Sequence, residues 1–140
     1  MSTASAKPAM SMDWTDTVDV VRSTFRTLNA LATAVADEDD EAERGFAEDD
    51  LFGAIRSAYS KLAELNYEAR RSEHGVVGER AEINDLLDRA WRDVRMALAL
   101  SLALLSSYDG YRGDSELLLG DLNAFLAERN AHYRQLDRRA

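Results

Sequence analysis

The chain has no cysteine, which excludes a disulfide framework and a thiolate zinc site alike. It has no long hydrophobic run. The longest, Met96 to Leu105, holds ten residues and includes Ser101. A membrane-spanning helix needs about 20, so this run reads as part of a buried helix. Residues 1–12 are rich in Ser and Ala, carry one Lys and lack a hydrophobic centre, and they read as a disordered lead-in rather than a signal peptide. Only two histidines are present, and neither His74 nor His132 has a Glu three residues before it. That rules out the Glu-x-x-His pairs with which helical bundles hold two metal ions. Glu128 and His132 stand four apart, but two ligands do not make a site. No Gly-rich phosphate loop and no Ser/His/Asp ordering is found. The absences together point to a cytoplasmic protein with no cofactor and no membrane partner.

What is present is a spacing. Trp14, Val18, Val21, Phe25, Leu28, Ala32 and Val35 keep apolar residues three and four apart. So do Leu51, Ile55, Ala58, Leu62, Leu65 and Ala69, and then Ile83, Leu87, Ala90, Val94, Ala97, Ser101 and Leu104. A fourth series runs through Leu119, Leu122, Leu126, Tyr133 and Leu136, with Arg129 where an apolar residue is due. Residues at this spacing share one side of an α-helix. Four such helices on short connections predict an all-α, up-and-down four-helix bundle with heptad-like apolar seams, a single domain over 13–140. The first helix is expected from an Asp13 cap to about Ala36, and the second from Asp49 or Asp50 to about Ser72. The third is expected over Glu79 to Tyr108, and the fourth from Asp114 or Ser115 to about Asp137. Gly53 inside the second suggests a close packing contact. The third helix carries a second seam, Leu86, Trp91, Leu98, Leu102 and Leu105, and so has to be buried on several sides.

The net charge of −9 is local. Between Asp37 and Asp50 stand nine carboxylates and one cation, Arg44, so this stretch contributes −8 and the rest of the chain −1. It reads as an acidic connection over about 37–48. Binding to nucleic acid is disfavoured, because phosphate contact needs clustered cations. The excess of Arg over Lys, fifteen to two, is what a GC-rich genome or salt adaptation produces. Salt adaptation, though, spreads acidity over a surface instead of concentrating it.

Near the C-terminus, Arg129-Asn130-Ala131-His132-Tyr133 resembles the Arg-Asn … His-x-Tyr signature of the HEPN ribonuclease toxins. The resemblance covers five residues and implies a helical bundle that cleaves RNA. Arg129 would stabilise the phosphorane and His132 would move the proton, with a dimer bringing two such pairs together. The chain departs from the family pattern in that two residues, rather than several, separate Arg from His. Arg112-Gly113-Asp114-Ser115 matches the integrin-binding tetrad, but turn and cap chemistry accounts for it.

Surfaces remain as the carriers of function. The leading expectation is a non-enzymatic bundle working through a protein partner or through self-association as a homodimer. Its surface would comprise Leu98, Leu102, Leu105 and Leu117 with the acidic handle Asp37, Glu38, Asp39, Asp40 and Glu41. The alternative is the HEPN-like RNA-cleaving toxin, or a related regulator of a nucleic-acid system. On the leading reading, Leu98→Asp or Leu102→Asp disrupts folding or assembly, and neutralising Asp37 to Glu43 leaves the fold intact.

Overall fold

A computed structural model describes residues 12–71, 79–107 and 112–137. They form four helices: α1 (Trp14–Asp37), α2 (Glu41–Arg71), α3 (Glu79–Ser107) and α4 (Arg112–Arg134). The chain is an up-and-down four-helix bundle, as the apolar spacing predicts. Each helix packs against the next, and α4 closes back on α1. Across the diagonals, α1 touches α3, whereas α2 and α4 do not meet among the described residues. Helix α3 therefore packs on three partners, which accounts for Leu86, Trp91 and Leu98 of its second apolar seam and leaves Leu102 and Leu105 exposed.

Helix α1 starts as its sequence dictates. Asp13 is the N-cap: its Oδ1 accepts the Asp16 N–H at 2.8 Å, and the Asp16 carboxylate accepts the Asp13 N–H at 3.5 Å. This reciprocal pair satisfies two backbone donors that the first helical turn leaves over. Helix α2 corrects the reading of the acidic stretch. The connection is only Glu38 to Asp40, and Glu41 to Asp50 are helical. Asp40 rather than Asp49 or Asp50 is the cap, with its Oδ2 accepting the Glu43 N–H at 2.9 Å. Two causes combine here. Carboxylates in the first turn sit at the positive end of the helix dipole, and Glu and Ala are good helix formers. The seam could not show this start, because its first buried residue is Leu51.

At the other end, α4 begins at Arg112, upstream of the expected cap, and its α-turns stop at Arg134. Three-residue backbone bonds from Gln135 and Leu136 to His132 and Tyr133 then tighten the chain. Gly53 marks no close approach, since a Cβ there would meet nothing within 4 Å. Of the lead-in expected over 1–12, only Met12 is described, and it packs half-buried against the core. His74 and the turn around it lie outside the described residues.

The core holds the four seams together, with Phe25, Leu28, Leu51, Ile55, Leu62, Ile83, Leu87, Leu104 and Leu122 fully buried. Each such side chain contributes roughly 1.5–3 kcal/mol through the area it removes from water. Tyr133 stacks on Phe25 with ring centroids 4.6 Å apart, joining α4 to α1. The Trp14 Nε1–H donates to the Asp137 carbonyl at 2.7 Å and ties the start of α1 to the segment after α4.

Candidate functional site

The second half of α3 carries no charged residue from Met96 to Ser107. Its inward side is core: Ala97, Ser101 and Leu104 are buried, and Ser101 satisfies its hydroxyl on the Leu98 carbonyl at 2.8 Å. Its outward side is where a lone bundle would place charges. Instead Met96 is 51% exposed, Leu102 53% and Leu105 38%, with Ala99, Ala103 and Ser106 exposed between them. Leu117, in the first turns of α4, is 69% exposed. Of the four leucines expected on an open surface, Leu98 alone is drawn in, half-buried against the core. The sequence pattern passed over Met96, which the outer spacing Met96, Ala99, Ala103, Ser106 could have flagged. It also passed over Phe46, 67% exposed in the stretch read as a connection.

Topology brings the acidic stretch to the same end. In an up-and-down bundle the C-terminal ends of α1 and α3 and the N-terminal ends of α2 and α4 lie together. Asp37, Asp39, Asp40 and Glu41 are exposed there and Glu38 half-buried. Asn66 and Arg70 both reach Asp88, which sets the register of α2 against α3. Equal steps down α2 towards its start and up the antiparallel α3 towards its end put Asp49 and Asp50 about level with Ser107 and Ser106.

The opposite half of the same face carries charges of both signs. Arg70 and Arg92 share the single carboxylate of Asp88, at 2.9 and 3.1 Å, and Arg89 pairs with Asp85 at 3.2 Å. Arg95 lies over the Trp91 ring, 5.4 Å from its centroid. Asp85, Asp88 and Asp93 stand among these arginines, so this part of the face carries paired charges of both signs.

Arg129 and His132 differ sharply in setting. Arg129 is mostly buried, where its long stem covers the apolar seam and its guanidinium pairs with Asp93 at 3.5 Å and Glu128 at 3.1 Å. The Tyr133 hydroxyl donates to the same Asp93 oxygen. Burial first, and then Asp93 through its hydrogen bond and its charge, push the Tyr133 hydroxyl well above its ordinary pKa of 10.0. His132 is exposed and meets the Tyr133 ring edge-on, 4.9 Å between centroids. The two side chains are thus adjacent on α4. The Arg points into a carboxylate pair, however, rather than at an open phosphate position. Asp93 lies thirty-six residues from Arg129, so no local spacing announces it.

Among the described residues no group of three or more His, Asp or Glu could hold a metal ion, and no helix is long and apolar enough to cross a membrane. Two hollows among the described residues are shallow. One, about 550 Å³ beside Arg56, Ser60, Lys61 and Glu64, lies along one helix face. Another, about 370 Å³, follows the α1–α2 groove, where the Thr24 hydroxyl already bonds to the Val20 carbonyl at 2.8 Å. Neither gathers convergent polar groups of the kind that fix a small ligand. No protein-family model, no curated protein and no solved structure matches the chain.

Proposed function

We propose that this bundle is a non-enzymatic protein that works by binding protein, through the charge-free half of α3 together with Leu117 of α4. The observation that carries this reading is that large apolar side chains stay exposed at Met96, Leu102, Leu105 and Leu117. A core-facing helix in a self-sufficient bundle carries polar residues on its outer side, whereas this stretch of α3 has no charge and several exposed large apolar side chains. The RNA-cleaving reading gains no support from the geometry, because Asp93 and Glu128 occupy the guanidinium that would have to meet a phosphate.

The test compares the native chain with Leu102→Asp and Leu117→Asp, both at exposed positions. Melting temperatures within a few degrees of the native value, with loss of association in light scattering or in cross-linking within the native host, are the expected outcome. Variants that associate as the native chain does would sink the reading.

A further inference from the structure

We infer that the Asp88 carboxylate, held by Asn66 and Arg70 of α2, is a rotational lock on α3. It keeps Ser101 in the core and Leu102 and Leu105 outside, against the pull of apolar burial. The inference concerns the bundle alone and stands whether or not a partner binds.

Three observations carry it. First, the last turns of α3 bury the less apolar of two sides. The buried residues there are Ala97, Ser101 and Leu104, and each is followed at once by a leucine that is half-buried or exposed: Leu98, Leu102 and Leu105. Successive residues stand about 100° apart around a helix, so a turn of that size exchanges the two sets. Three leucines in place of Ala, Ser and Leu take more apolar surface from water. Burial within this half alone therefore favours the exchanged arrangement.

Second, the first half of α3 forbids it. Its buried residues are Ile83, Leu87, Ala90 and Val94, and those that follow them are Asn84, Asp88, Trp91 and Arg95. The same turn would carry Asp88 inward, away from Arg70 and Asn66, which it meets at 2.9 and 3.4 Å. An unpaired carboxylate would then stand in the core. Arg95 is long enough to reach water from such a position and Asp88 is not, which makes Asp88 the deciding residue. Third, the lock has a counterpart in the α2 seam. Leu62, Asn66 and Ala69 are buried at four-three spacing, so Asn66 stands where an apolar side chain is due. Its Nδ2 donates to Asp88, and its Oδ1 has no hydrogen-bond partner among the described residues. A buried amide only half satisfied costs stability. Its use, like that of a lone Asn in a coiled-coil seam, is to fix which arrangement forms.

Because the chain has no cysteine, single cysteines report the rotation without background. In dilute solution the thiol of Leu102→Cys is expected to react with a maleimide roughly tenfold or more faster than that of Ser101→Cys, whose position is buried. Asp88→Leu is expected to move the two rates in opposite directions, slowing Leu102→Cys and quickening Ser101→Cys, so that their ratio shrinks roughly tenfold. Asp88→Asn, which still accepts from Arg70 and Asn66, is expected to keep the native ratio. Leu122→Ala loosens the core without touching the lock and is expected to quicken both thiols together. Should Asp88→Leu fail to fold, Asp88→Ala carries the same comparison. Rates that rise in parallel in the Asp88 variant, as in Leu122→Ala, would reduce Asp88 to an ordinary stabilising contact and overturn the inference. Unchanged rates would overturn it equally.

Discussion

Asp93 joins α3 to α4 through one carboxylate, which takes the Tyr133 hydroxyl and the Arg129 guanidinium together. Losing it strands the Tyr133 hydroxyl and leaves the mostly buried Arg129 guanidinium with Glu128 on its other side. Asp93→Ala is therefore expected to cost about 1–3 kcal/mol, the penalty for an unsatisfied buried polar group. Tyr133→Phe keeps the stacking on Phe25 and leaves Asp93 paired to Arg129, so its cost is expected to be smaller, about 1 kcal/mol. Urea unfolding of the two variants checks the order. The same hydroxyl gives a pH signature. Its folded pKa is raised, so the unfolded chain loses that proton first as pH climbs. The contribution is whole below pH about 10, the ordinary tyrosine value, and is lost progressively above it. Stability of the native chain is expected to fall more steeply in alkali than that of Tyr133→Phe, in denaturation midpoints taken from pH 9 upward. A native curve no steeper than the variant's would remove Tyr133 as the cause.

At the scale of elements, α2 shows how far the sequence could be read. Its buried seam from Leu51 to Ala69 was legible because burial repeats every three to four residues. Its start was not, because ten residues of α2 precede the first buried one and are held by a cap and by dipole complementarity rather than by a core. Apolar periodicity detects packing and is blind to such a turn. The same limit applied to the candidate surface. Leu102 and Leu117 were legible as apolar surplus, but Leu98 was not separable from them by pattern, since only the neighbouring helix decides which edge of a seam is covered.

The Asp40 cap now predicts that Asp40→Ala frays α2 locally. Amide exchange over 41–46 is expected to quicken while that of 51–69 is unchanged, with about 1 kcal/mol lost from the first turns. Quickened exchange through Leu62 would mean that the start of α2 is coupled to the core. Gly53 and Gly120 lie within helices with open space where a Cβ would go. Gly53→Ala and Gly120→Ala are expected to raise stability by about 0.5–1 kcal/mol each, by removing the conformational freedom that Gly brings to a helix. A lowered melting point for either would reveal a neighbour that the geometry does not contain.

The whole molecule is polarised along its length, with the −8 stretch and the charge-free half of α3 at one end and the shared Arg pairs toward the other. At that second end a long-range bond runs from Trp14 on the first helix to the Asp137 carbonyl after the last. Leu136 packs half-buried beside it. Closure matters because α1 and α4 are the two elements that no loop connects, so their pairing depends on contacts alone. Trp14→Phe keeps an aromatic body in place and removes the donor, and a chain ending at Arg134 removes the acceptor together with Leu136. Each change is expected to destabilise the bundle, the truncation more, and the Trp14→Phe step by about 1 kcal/mol. If the bond is what the indole contributes, Trp14→Phe costs markedly less in the truncated chain than in the full one, and the two changes are non-additive in a double-mutant cycle. Strict additivity would assign Trp14 a packing role only, and would leave the pairing of α1 with α4 to the stack of Phe25 on Tyr133.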